Sequence, residues 1–159
     1  MNDCLVELQG ITKTYGEVTA VDDLNLTVAR GEFLVLLGPS GSGKTTILSM
    51  MGGFTTPTSG KLIIAGDDVT KVPPAHRPTV TVFQDYALFP HMSVRDNVSF
   101  GLAMRKVAKA ERNKLAEQFL ETVGLSGFGD RGVHQLSGGQ RQRVALARAI
   151  AVEPQVLLL

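Results

Sequence analysis

Gly38-Pro39-Ser40-Gly41-Ser42-Gly43-Lys44-Thr45 is the stretch that decides the fold. It fits G-x-x-x-x-G-K-[ST] at every fixed position. It lies between an unbroken apolar run, Phe33 to Leu37, and a segment with Ile47, Leu48, Met50 and Met51 at helical spacing. The order is strand, glycine loop, helix. Glycines let successive backbone N–H groups turn inward on one anion, and the following helix adds the positive end of its dipole. Lys44 is placed to reach terminal phosphates as a point charge, and the Thr45 hydroxyl to help hold a magnesium ion between two phosphate oxygens. An ordinary glycine turn with an exposed lysine would leave the agreement of loop and flanking elements unexplained. The loop alone specifies a nucleoside-triphosphate binder and does not choose among kinases, GTPases and motors.

Upstream, Cys4, Val6 and Leu8, and then Leu24, Leu26 and Val28, alternate with more polar neighbours, the period of a half-buried antiparallel sheet, with Tyr15 and Gly16 in the turn between. Phe33 to Leu37 reads as a strand covered on both faces, as in a parallel sheet. Downstream, α-helical spacing ends at Gly52 and Gly53. Lys61 to Ala65 reads as a strand ended by a turn at Gly66, Asp67 and Asp68, and Val80 to Phe83 as a further buried strand ending at Gln84. After Phe89, Pro90 and His91 the pattern is helical for some thirty residues, with Leu115, Phe119, Leu120 and Val123 on one face and Gly124 as a C-cap. Ser137 N-caps a last helix carrying Val144, Ala147 and Ile150, and Val156 to Leu159 opens another buried strand.

Composition excludes more than it identifies. Sixteen Lys plus Arg against fifteen Asp plus Glu give a net charge of +1, so no bulk field recruits nucleic acid or an anionic membrane. The single cysteine, Cys4, forms no internal disulfide and has no metal-ligand spacing around it, which fits a reducing compartment. Met1 to Glu7 carries no basic region followed by a long apolar stretch, and no window approaches the roughly 20 apolar residues of a membrane span. A cytosolic character is expected.

Leu136-Ser137-Gly138-Gly139-Gln140 is a second polar glycine turn directly before a helix, again offering backbone N–H groups and a hydroxyl to a phosphate. Alone it reads as an N-cap with a flexible lead-in. Continuing as Arg141-Gln142-Arg143-Val144-Ala145-Leu146-Ala147-Arg148-Ala149, downstream of the phosphate loop, it resembles the signature of the ATP-binding cassette (ABC) proteins.

The resemblance covers the whole chain. It implies an α/β fold: a P-loop NTPase core with a parallel sheet, an N-terminal antiparallel β subdomain and an inserted helical lobe. Residues 1–84 then form the β subdomain and nucleotide-binding core, 85–135 the helical lobe, and 136–159 the signature helix and the start of the second nucleotide-site strand. The implied ATP contacts are Tyr15, stacking on adenine, the loop Gly38, Pro39, Ser40, Gly41, Ser42, Gly43, Lys44, Thr45 and Thr46, and Ser137, Gly138, Gly139 and Gln140. Lys44 and Gln84 carry the catalytic roles, with Thr45 and Gln84 near Mg2+ and Gln84 approaching the attacking water. Arg141 and Arg143 are read as solvated helix charges or as further contacts.

Two such cassettes pair head to tail, so that the signature turn of one closes over ATP on the other, which explains two phosphate-seeking turns on one chain. Phe83 to Val94 resembles the importer branch, in particular the cassettes serving polyamine, iron(III), sulfate and sugar uptake, and in wording is closest to the spermidine/putrescine type. There this segment receives a short helix of a transmembrane permease, with a solute-binding protein acting indirectly, and Tyr86, Leu88, Phe89 and Met92 form the apolar cluster that would dock or would instead fill the lobe's own core. The place implied is the cytoplasmic face of the inner or plasma membrane. Family cassettes are longer. The aspartate and glutamate that follow the last strand, and the switch histidine beyond, lie outside the 159 residues. The chain is thus expected to be C-terminally truncated and, as it stands, to bind nucleotide weakly and hydrolyse it negligibly. A non-catalytic fragment, a soluble cassette ATPase acting on DNA or ribosomes, and a nucleotide kinase or GTPase are the competing readings.

Overall fold

A computed structural model describes residues 4–159; Met1–Asp3, on which part of the leader expectation falls, lie outside it. The chain divides into two compact units, the first ending at Thr79 and the second running from Val80 to Leu159.

The first unit is built on an antiparallel sheet of β1 (Cys4–Tyr15), β2 (Val18–Ala29), β3 (Ser59–Ile64) and β4 (Asp67–Asp68), in the order β2-β1-β3-β4. Tyr15 pairs with Val18 across a two-residue turn at Gly16 and Glu17, and β1 lies between β2 and β3, with Leu8 opposite both Leu26 and Leu62. Alternation selects the buried face: Val6, Leu8, Ile11, Leu62 and Ile64 are fully buried, as is Met50 of α1 (Lys44–Gly52). Each such side chain stabilises the fold by about 1.5–3 kcal/mol relative to exposure.

Two expectations need correction. Asp67 and Asp68 do not make the turn after β3. Ala65 (φ 53°) and Gly66 (φ 88°) make it in consecutive left-handed conformations, and the aspartates pair back onto Ile64 and Ile63. Nor is Phe33 to Leu37 a covered strand. It belongs to neither described sheet, and Phe33 and Leu37 are 82% and 89% exposed. An apolar run becomes a central parallel strand only when ladders form along both of its edges, and among the described residues no strand pairs with it.

The second unit holds β5 (Thr79–Thr81) from Val80 onward, α2 (Val94–Met104), α3 (Lys109–Thr122), α4 (Gly138–Ile150) and β6 (Val156–Leu158), with β5 paired to β6. Val80 and Val82 are half-buried and Phe83 is exposed, so the strand before Gln84 is shorter and less covered than its composition implies. The thirty-residue helical stretch is two helices. Lys106 takes a left-handed φ of 62°, and the Val107 amide donates back to the Leu102 carbonyl (3.1 Å), which closes α2 without a glycine to announce it. At the end of α3, Gly124 (φ 71°) has the expected role, and the Leu125 amide donates to the Leu120 carbonyl at 2.8 Å. Val94, Val98, Ala116, Leu120, Val144 and Ala147 form the core between the three helices.

Candidate functional site

The first unit carries the glycine loop. Gly38 to Gly43 has no regular structure and runs straight into α1, whose N-cap is Gly43 in a left-handed conformation (φ 84°, ψ 0°). Only glycine fits there, because a Cβ would lie 2.5 Å from the Ala20 carbonyl oxygen and 3.1 Å from Val21 Cγ2. That close approach seats the loop on the start of β2, the strand whose first residue, Val18, pairs with Tyr15. Tyr15 is half exposed, and the Lys13 ammonium stands 4.9 Å from its ring centroid.

The Lys44 ammonium folds back into the loop, donating to the Gly38 carbonyl (2.8 Å), the Pro39 carbonyl (2.7 Å) and Ser42 Oγ (3.1 Å). A charged donor held by three oxygens of a glycine-rich turn can exchange them for anionic oxygens. Thr45 is exposed in the first turn of α1 and Thr46 half-buried beside it. A hydroxyl at that place is the hard oxygen donor that magnesium prefers, so the residues present fit the ion.

Behind the loop, Arg77 fixes the other end of α1. It is only 8% exposed and donates from Nη1 to the Met50 (2.6 Å) and Met51 (3.1 Å) carbonyls and from Nε to the Val72 carbonyl (2.7 Å). Burial pulls its pKa below the ordinary guanidinium value, and the carbonyls it reaches include the orphan acceptors of a helix C-terminus. Nothing in the pattern of residues announced this role.

The second unit carries the other two groups of candidate residues. Ser137 N-caps α4 in a full capping box: Ser137 Oγ accepts from the Gln140 amide (3.3 Å), and Gln140 Oε1 accepts from the Ser137 amide (2.9 Å). A Cβ on Gly138 or Gly139 would meet nothing within 4 Å, so the turn presents the first amides of the helix on an open face. Arg141 is exposed, whereas Arg143 donates to the Val123 (3.2 Å) and Gly124 (3.4 Å) carbonyls, tying α4 to the end of α3.

Gln84 is exposed and opens a turn in which the Tyr86 amide donates to the Phe83 carbonyl (2.9 Å). Tyr86 and Ala87 then take left-handed φ values of 65° and 44°. Arg148, from the last turn of α4, donates to both of their carbonyls. The segment after the turn is held by Asn97, fully buried, whose Oδ1 accepts from the Phe89 amide (2.8 Å) and whose Nδ2 donates to the Phe89 (3.1 Å) and Ser93 (3.0 Å) carbonyls. Phe89 packs against Phe100 with the rings tilted at 46° and their centroids 4.5 Å apart, and Leu88 packs against the helical core, so part of the apolar cluster fills the lobe itself. The phosphate loop with Tyr15 thus belongs to one unit, and Gln84 with Ser137 to Gln140 to the other.

Residues 21–159 match the ABC transporter family. The chain is 54% identical over 157 residues to the Fe(3+) ions import ATP-binding protein FbpC of Mannheimia succiniciproducens, covering 99% of this chain and 45% of that one. It is 53% identical over 156 residues to the spermidine/putrescine import ATP-binding protein PotA of Lawsonia intracellularis, covering 98% and 42%. It therefore spans less than half the length of these curated relatives. Among solved structures, the dimeric MJ0796, a bacterial ABC transporter cassette, superposes with a TM-score of 0.86 at 35% identity over 96% of this chain and 72% of that one. The same cassette in a post-hydrolysis state bound to ADP and Pi gives 0.85. With the glycine loop, the capped signature turn and this likeness agreeing, the chain belongs to the ABC transporter family and has its P-loop α/β fold.

Proposed function

We propose that the protein is the ATP-hydrolysing, energy-coupling subunit of an importer, working as a head-to-tail pair of cassettes on the cytoplasmic face of the membrane and attached there through permease subunits. The observation that carries this reading is that one chain holds two glycine-rich turns that each run directly into a helix N-terminus, Gly38 to Lys44 before α1 and Ser137 to Gln140 before α4. One nucleotide needs one phosphate loop. A second such turn is explained by a nucleotide held on a partner.

In this reading Tyr15 stacks on adenine, Gly38 to Thr46 hold the phosphates, and Ser137 to Gln140 close over ATP of the opposite subunit. Thr45 and Gln84 would hold Mg2+, which would supply positive charge against the negative charge that develops on the phosphate. Residues 1–84 act as the nucleotide-binding part, 85–135 as the helical lobe and 136–159 as the signature part, and the segment from Gln84 to Val94, at the start of the lobe, meets the permease. No helix among the described residues is long and apolar enough to cross a membrane. The relatives named for iron and for polyamine import stand at nearly equal identity. The solute is accordingly chosen by the permease and its binding protein, with polyamine or iron(III) the classes to test.

The acidic pair that the family uses to hold magnesium and polarise water is not among residues 1–159, so this stretch by itself binds ATP without turning it over appreciably. Turnover at saturating magnesium equal to that of a full cassette would refute that point. The pairing is tested in the full-length importer by mixing Lys44→Ala and Ser137→Arg subunits. Each variant alone loses both sites, whereas the mixed pair keeps one intact loop facing one intact signature and regains ATPase activity. A mixture as inactive as its parents contradicts the head-to-tail site.

A further inference from the structure

Arg148 lies in the last turn of α4, eleven residues from Ser137, which places it about 16 Å along the helix from the signature turn. Its fork does not cap its own helix. Nη1 donates to the Ala87 carbonyl (2.7 Å) and Nη2 to the Tyr86 carbonyl (2.8 Å), and the guanidinium carbon stands 5.4 Å from the Phe89 ring centroid. The two carbonyls belong to the two consecutive non-glycine residues in left-handed conformations, directly after Gln84 and Asp85. Such residues persist only where the surroundings over-determine them. A planar fork reaching two successive carbonyls is that determinant, and a lysine, with a single ammonium, has no matching geometry. Burial lowers the pKa of Arg148 below the guanidinium value, and the group stays charged.

We infer that Arg148 is a positioning residue: from the far end of the signature helix it holds the Gln84 turn in the conformation that aims the glutamine. The inference rests on the proposed ATPase reading for what Gln84 does once aimed. One rigid helix then carries the nucleotide-facing turn at its start and the anchor of the glutamine turn at its end.

Arg148→Met keeps the apolar stem against Phe89 and removes the donors, while Arg148→Lys keeps the charge and one donor group. In the full-length importer, Arg148→Met is expected to raise amide hydrogen exchange across residues 84–88 by about tenfold or more, while the Val144 and Ala147 amides keep their protection. It lowers kcat about tenfold with KM for ATP within about twofold of wild type, because the phosphate loop is untouched, and Arg148→Lys regains part of kcat. A merely structural arginine would instead lower thermal stability and move exchange in α4 and in the turn together. Unchanged exchange at 84–88, or raised exchange with kcat intact, overturns the inference. If Arg148→Met does not fold, Arg148→Lys supplies the same readings. A wild-type importer that neither binds nor hydrolyses ATP refutes the ATPase reading itself, and the exchange data then still decide whether Arg148 holds the turn.

Discussion

Replacing Arg77 by methionine tests how the phosphate-loop helix is held. The guanidinium makes three short bonds, to Met50, Met51 and Val72, and a longer one of 3.4 Å to the Thr70 carbonyl. Charged hydrogen bonds contribute about 1.5 kcal/mol each at the low end, so three give about 4–5 kcal/mol. Methionine recovers part of the desolvation that burying a cation costs, the same burial that lowers the arginine's pKa. The net loss is therefore about 2–4 kcal/mol, and at about 4–8 °C per kcal/mol for a unit of this size the melting point falls by roughly 8–30 °C. The chain has no tryptophan, so circular dichroism and native-state hydrogen exchange are the suitable assays. Exchange should accelerate first in α1, including the Ile47 amide bonded to the Gly43 carbonyl. Gly53→Ala, whose Cβ would lie 2.6 Å from Arg77 Nε, should produce a similar local loss. A change below about 0.5 kcal/mol for Arg77→Met would refute the reasoning, since desolvation would then cancel the bonds entirely.

Gly43→Ala should weaken binding of a fluorescent ATP analogue by at least about tenfold, through the left-handed φ and the Ala20 carbonyl collision together, whereas Gly41→Ala, with a φ of 81° but open space around it, should lose less. Equal losses at the two positions would show that the contact with β2 contributes nothing. Phe33→Lys with Leu37→Lys should reduce light scattering of concentrated protein without lowering the melting point of the first unit, because both side chains are already exposed; a large drop in that melting point would mean that the run is buried. Arg95, by its hydrogen bond first and its charge second, holds Asp130 below its ordinary carboxylate pKa. A depressed folded pKa contributes stability above the unfolded value and loses it as the pH falls through the folded one. Asp130→Asn should therefore lower the urea midpoint at pH 7 and make progressively less difference below about pH 4; a gap that widens in acid contradicts the assignment.

The features readable from residues alone are those closed within a few positions of chain. Ser137 and Gln140 form a capping box three residues apart, and the glycines of the phosphate loop stand next to the lysine they serve. Phe33 to Leu37 shows the limit, since hydrophobicity marks a wish for burial and only neighbouring strands grant it. Arg77 reaches carbonyls 26 and 27 residues away, and Arg148 carbonyls 61 and 62 away, distances over which no spacing rule operates. Yet the two arginines have corresponding places. α1 starts at the phosphate loop, and Arg77 holds the carbonyls of its last turn; α4 starts at the signature turn, and Arg148 anchors its last turn to the glutamine segment. In the proposed reading the amides that face a phosphate are helix N-termini, and they aim accurately only if the helix behind them does not slide. A local motif thus supplies the chemistry at one end of each helix, and a distant arginine fixes the other, so substitutions far from nucleotide should be felt at it through these two residues before any others.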